Sequence, residues 1–480
     1  MKSLSIANAT GVSGRLTQLF VSLLLLGVLA GCSEAKQYPL QDTPGSGGEG
    51  SVEKSDHNAF SLPQGNLSMS KRLDFSVGNS FFRNPWVIAP SSTDARDGLG
   101  SLFNTNSCQG CHIKDGRGHP PQPGESSISL FLRLAMPADS VKDAEMLKKH
   151  GFVPHPVYGS QLQTAAIPGF KPEAELVIDW KERVDTLDDG TRVILREPDY
   201  RIDNPQYGAL PVDLLISPRV APPMIGLGLL AHISEGDILA SADQDDANND
   251  GISGKANRVW DRAKETSVLG RFGLKASEPS IMQQSMGAFA GDMGLTSTLV
   301  SITDCTPTQG CDDAPHGGEP EVSDEIAGFI DFYASSLAVP ARRNMTDPEV
   351  MAGAKLFNQS ACAACHTPRH VTGDAPGRPD LSNQTIWPYT DLLLHDMGPG
   401  LADGRGEFLA DGSEWRTSPL WGLGLAQQVN PRAGFLHDGR AETLEQAILW
   451  HDGEAKESAD SYRAMSIAER TSLVRFLESL

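Results

Sequence analysis

Cys108-Gln109-Gly110-Cys111-His112 and Cys362-Ala363-Ala364-Cys365-His366 are two copies of one short pattern, and the reading of the whole chain turns on them. Cys-x-x-Cys-His is the spacing of a c-type haem attachment site. On a single helical turn, residues i and i+3 face the same way. Two thiols so placed reach the two vinyl groups of one porphyrin as thioethers. The next residue, a histidine, then lies under the iron as its axial ligand. A zinc half-site or a redox dithiol would use the same two cysteines. Two copies, each with a histidine directly after the second cysteine, on a chain that opens with an export signal, favour haem. The expected cofactors are two covalently bound haem c groups. Cys108, Cys111, Cys362 and Cys365 would attach them, with His112 and His366 on the irons.

Three of the seven cysteines remain. Cys305 and Cys311 lie six apart in a Pro/Gly-rich loop and suit a disulfide, which an exported protein can keep. Cys32 closes a leader. Lys2 and Arg15 supply its positive charge, and Phe20 to Ala30 is an apolar run too short for a spanning helix. Leu29-Ala30-Gly31-Cys32 resembles a bacterial lipobox, which implies cleavage before Cys32 and lipid on its thiol. The mature chain would then be anchored to a membrane by lipid, facing the periplasm, rather than threaded through it. Ser33 points to the outer membrane. Export fits the motifs, because c-type haem is attached outside the bacterial cytoplasm.

The formal net charge of −21 over 480 residues argues against nucleic acid or an anionic membrane surface as the main partner. It suits a basic electron donor.

Working outward from the motifs, residues 1–31 read as a lipoprotein-type signal peptide. Residues 32–65, rich in Gly, Ser, Pro and charge, read as a disordered tether. Beyond them the chain echoes itself. Leu102-Phe103-Asn104 stands three residues before Cys108, and Leu356-Phe357-Asn358 stands three before Cys362. Both read as helix ends running into the motif. Glu325 to Leu337 and Glu469 to Leu480 both have helical apolar spacing. Pro222-Pro223-Met224-Ile225-Gly226-Leu227-Gly228-Leu229 echoes Ser418-Pro419-Leu420-Trp421-Gly422-Leu423-Gly424-Leu425. Three matches in one order argue for duplication. The expected fold is mainly α, two cytochrome c-like helical domains at 66–340 and 341–480. The first carries an insertion at about 120–220 with a small sheet, including a hairpin around Asp188-Asp189-Gly190. Within 243–257, Asp246, Asn248 and Asp250 followed by Gly251 match the first half of a Ca²⁺ loop. Its twelfth position is Asn257, where a bidentate Glu is usual.

Function turns on what faces each iron across from its histidine, because a second protein ligand favours electron transfer and an open position favours chemistry. Phe435-Leu436-His437-Asp438-Gly439-Arg440-Ala441, running on to Trp450-His451, resembles the bacterial di-haem cytochrome c peroxidases and the related methylamine-utilisation di-haem enzymes. In that superfamily the turn leads into a helix whose end carries the distal ligand of the C-terminal haem. The resemblance places His451 there, where the peroxidases have Met and the methylamine enzymes Tyr. Met397 and His395 are alternatives. A closer resemblance is to the di-haem oxidoreductases of the thiol-oxidoreductase-like type. It is carried by Asp115-Gly116-Arg117-Gly118 after the first motif, Asp250-Gly251-Ile252-Ser253-Gly254 and Leu394-His395-Asp396-Met397-Gly398. It spans about 70–480.

The resemblance implies a peroxidase-like oxidoreductase. Electrons from a small donor protein or a quinol-linked donor would enter at the C-terminal haem and be used at the N-terminal one on peroxide or another small substrate. For the His112 iron, His119, Met224, His232 and Met293 are candidate ligands. Glu235 is a candidate acid/base, because a peroxidase must move a proton between the two peroxide oxygens. Arg117 and Arg440 are candidates for the propionates, and Trp86, Trp260, Trp421 and Trp450 for bridging the haems. The alternative to an enzyme is a non-catalytic di-haem electron carrier with both irons six-coordinate. A third reading is a partner in iron or copper reduction.

Overall fold

The computed structural model describes residues 38–311 and 314–480. The leader, Cys32 and residues 33–37 lie outside the described residues.

Two pairs of crossed helices repeat one arrangement. In the first copy Met69–Arg83 packs on Asp324–Ser335, and in the second Pro348–Gln359 packs on Ile467–Ser479. Their starts are set locally. Ser323 accepts from Ile326 N, with Asp324 and Glu325 in the first turn, where the helix dipole favours acids. Asp347 caps a helix that begins with Pro348. Ser466 and Glu469 form a capping box.

Each crossing is made at a glycine. A Cβ on Gly78 would lie 2.2 Å from Phe329 O, and one on Gly353 would lie 1.9 Å from Ser472 O. The echoed Gly-Leu-Gly-Leu runs serve the same geometry. Gly226 and Gly422 turn the chain at φ 70° and 72°. Gly228 and Gly424 then back onto the ends of the crossed helices, at Ser335 O and Glu478 O.

The two helix ends expected before the motifs differ. Leu356-Phe357-Asn358 does end the helix Pro348–Gln359, but Leu102–Phe103 is a short strand paired with Ala165–Ala166. The helix of the first copy lies further back in the chain, and Phe82 takes the place that Phe357 has in the second. Their rings sit 6.2 and 6.4 Å from those of His112 and His366.

The expected mainly-α fold of two cytochrome c-like domains is not what the chain builds. Helix makes up 29% and strand 18% of the molecule, the strand in small sheets. The reason is the segments between the repeated helices. They carry β-branched and aromatic alternation that pairs antiparallel. The largest product is the hairpin expected around Asp188-Asp189-Gly190. It is longer than expected, with Glu175–Thr186 paired to Arg192–Asp203, Glu175 opposite Asp203 and Thr186 opposite Arg192. Along its second strand Val193 and Leu195 point inward while Ile194 stays exposed, the period of two that a strand imposes. Leu130–Ala135 pairs with Leu215–Val220.

The hairpin's inward residues do not stay with the N-terminal half. Leu187, Val193 and Leu195 are buried in one cluster with Phe357, Tyr462 and Phe476. Arg463 and Arg470 hold Asp185 and Asp189 at 2.9 and 2.8 Å. Residues 38–480 form one compact unit.

The tether expected at 32–65 is corrected from Tyr38 onward. Gln41, Ser46, Ala59, Phe60 and Gln64 are buried. Backbone bonds from Val52 to Val339 and from Gln64 to Ser336 stitch this stretch to the chain that follows the first crossed pair. Its glycines allow close contact: a Cβ on Gly47 would meet Val339 at 2.8 Å. Cys305 and Cys311 are joined in a disulfide. Among the described residues no helix is long and apolar enough to cross a membrane.

Candidate functional site

Each cysteine motif forms one helical turn, Cys108–Cys111 and Cys362–Cys365. Ser107 caps the first by accepting from Gly110 N at 3.2 Å. In both, the histidine ends the turn, its N–H donating to the first cysteine's carbonyl at 2.9 and 3.0 Å. The four thiols are unpaired. Burial pushes the Cys108 and Cys362 thiols up to about 12. A redox dithiol works through a thiol of lowered pKa, which burial here opposes.

The two histidines are set identically. Nδ1–H of His112 donates to Pro222 O at 2.7 Å, and Nδ1–H of His366 donates to Tyr389 O at 3.1 Å. A carbonyl only accepts, so Nδ1 carries the proton and Nε2 keeps its lone pair. Burial drives both pKa values down to about 4, so both rings are neutral at physiological pH. A neutral imidazole oriented by a carbonyl is the form that binds a metal.

One cavity of about 920 Å³ reaches both motifs. That is at the upper end for small-molecule and cofactor sites. Cys108, Cys111, His112, Cys362, Cys365, His366, His451 and Met397 all line it. His451 stands at the end of the helix Leu444–Leu449, which Thr443 and Gln446 cap as a box. Its Nδ1 donates to Ala447 O at 2.7 Å, leaving Nε2 free as in the other two histidines. It lies near enough to His366 to disfavour that ring's protonation.

Other sequence candidates part ways here. His395 lines the cavity, but Asp391 takes one ring nitrogen at 2.9 Å and Glu454 the other at 2.6 Å. With both nitrogens engaged it is no iron ligand. Burial opposes its charge, yet Cys365 and Asp391 hold its pKa well above the usual value. Met224 and Met293 line the cavity, whereas His119 and His232 do not. Of the four tryptophans named, Trp421 alone lines it. Trp415, which no spacing marked, does too, stacked on His437 with ring centroids 4.0 Å apart. Arg117 lines it but gives its hydrogen bonds to Gly434 O and Leu436 O. Arg440 does not line it and is paired with Asp438.

Glu235 is misplaced as an acid/base. It opens a short surface helix, Glu235–Leu239, and pairs with Arg258 at 2.8 Å with its side chain 46% exposed, away from the cavity. Glu278, Asp292, Asp304, Glu407 and Glu454 are the acids that line the cavity, and Glu278 has its carboxylate held by a single amide. Gln283 Nε2 donates to its Oε2 at 2.9 Å, and burial raises its pKa to about 7. No motif in the sequence marks it. It stands before the helix Ile281–Met293, and only folding brings it to the cavity.

The Asp246 loop spends its oxygens on itself. Asp246 accepts from Asp250 N and Gly251 N, and Asn248 Oδ1 accepts from Asp250 N. Among the described residues no three or more His, Cys, Asp or Glu side chains converge as a metal site.

The donor set fits two porphyrins: paired thiols on one helical turn, a neutral imidazole after each, a third imidazole at the second site, and a mostly apolar cavity reaching all of them. A family model described as "Di-haem oxidoreductase, putative peroxidase" matches residues 41–480. No curated protein matches the chain.

Proposed function

The chain belongs to the di-haem oxidoreductase family, and from that premise we propose a c-type enzyme that reduces peroxide or a similar small substrate. Cys108 and Cys111 would hold one haem with His112 as its protein ligand, and Cys362 and Cys365 would hold the other with His366. His451 would be the second ligand of the latter, with Met397 as the alternative. When bound, the haems would supply one-electron chemistry, the His366 site being the proposed point of entry and the His112 site the proposed point of reaction.

The protein's own residues do the rest. Pro222 O and Tyr389 O fix the two imidazoles. Phe82 and Phe357 stand beside them. Glu278 moves the proton: Gln283 holds Oε2, so Oε1 takes a proton from the incoming peroxide and returns it to the departing oxygen. A pKa near 7 lets one group do both. Export, a lipid anchor on Cys32, and a small donor protein or quinol-linked donor complete the proposal.

The observation that carries it is the single cavity reached by both motifs, with each histidine's Nδ1 tied to a carbonyl. The test is EPR and optical spectroscopy of the purified mature protein, oxidised and half-reduced, with and without peroxide. One low-spin and one peroxide-responsive high-spin haem are expected. Two low-spin haems in every redox state would leave an electron carrier. A colourless protein without added porphyrin mass would end the proposal.

A further inference from the structure

Arg405 lines the cavity and has no exposure to solvent. Its Nε donates to Leu134 O at 3.3 Å and its Nη1 to Glu407. The guanidinium lies 4.1 Å from the centre of the Phe152 ring. Its Nη2 has no hydrogen-bond partner. A buried charged donor is ordinarily paired, because water is not there to replace the partner.

The carboxylate nearest to it does not serve it alone. Glu407 is shared, since Arg219 Nη2 also donates to it at 2.7 Å. Lys275 and Asp403 pair at 3.0 Å, both fully buried. Arg133 is close enough to act on Glu407 and Arg405 alike. Arg405, Arg219, Arg133 and Lys275 thus gather around Glu407 and Asp403, with Asp304, Asp292 and Glu278 close enough to act on the same group. A buried guanidinium donor left without an acceptor calls for one.

We infer that Arg405 Nη2, backed by Arg219 and Arg133, is a carboxylate-binding site in the cavity wall. A guanidinium's planar donors match a carboxylate's two oxygens. The carboxylate has two potential sources, a porphyrin propionate or a small free acid. The first rests on the proposed haem occupancy and the second does not. Arg117 and Arg440 are committed to protein acceptors, whereas Arg405 keeps a buried donor without one.

The test uses the purified holo-protein, with covalent haem verified first by mass. Formate is the free-acid probe, followed by melting temperature and optical spectrum. Midpoint potentials are read for Arg405→Met and Arg405→Lys, the second keeping the charge in case the first does not fold. If a propionate sits there, loss of the charge lowers the potential of one haem and leaves the other unchanged, Arg405→Lys stays near wild type, and formate does nothing. If a free acid sits there, formate raises the melting temperature of the wild type saturably, and both variants weaken it roughly tenfold or more. Formate without effect, together with unchanged potentials in every variant that folds, overturns the site. A protein without haem that still binds formate through Arg405 would sink the proposed function and keep this inference.

Discussion

At the scale of single residues the function depends on environment more than on identity. Glu235 and Glu278 are the same side chain, one paired in solvent and one buried against the cavity. With its pKa near 7, Glu278 must be ionised to accept a proton, so kcat/KM should rise with pH through about 7. Glu278→Gln should erase that limb and lower turnover by about 10²- to 10⁴-fold; a pH–rate profile checks both. The stability effect has the opposite sign. The folded carboxyl binds its proton more tightly than the unfolded one, whose value is 4.5. Stability should therefore fall as pH rises between about 4.5 and 7, and Glu278→Gln should flatten that fall, as denaturant midpoints at pH 5 and pH 8 would show. His451→Gly should turn one low-spin EPR signal high-spin. An unchanged spectrum would move the ligand assignment to Met397.

At the scale of elements, the duplicated helix crossings are fitted around glycine. Gly353→Ala would drive a methyl into Ser472 O, backbone that cannot swing away. Overpacking of this kind costs about 1–3 kcal/mol. Gly328, also in one of these helices, has nothing within 4 Å. Gly328→Ala should therefore stabilise by about 0.8–1 kcal/mol through helix propensity. Denaturant titration of the two variants should show opposite signs. The legibility of these helices follows the same division. Caps, apolar period and the Gly-Leu-Gly-Leu echo act within a few residues, so the helices of 325–337 and 469–480 could be read directly. The strand at Leu102–Phe103 could not, because its partner Ala165–Ala166 lies some sixty residues away.

At the scale of the molecule, the insertion hairpin joins the halves. Leu195 belongs to the N-terminal segment but has no exposure among the residues around Phe476. Leu195→Ala should cost about 2–5 kcal/mol. If the halves depend on each other, both haem sites should lose their native optical signature in one shifted transition. Two separate transitions, one unshifted, would refute that coupling.

The sequence alone determined what short range decides. The motif turns, the repeated helices, the 188–190 hairpin and the Cys305–Cys311 pairing all rest on neighbours within a dozen residues or on a repeating period. The tertiary structure alone decided which side chains meet. The joined cavity, the burial of residues 38–65, Glu278 in place of Glu235, and the Arg219–Glu407–Arg405 cluster each bring together positions distant in the chain. A local pattern carries no record of such meetings, because the free energy that makes them comes from burial, which only the folded chain provides.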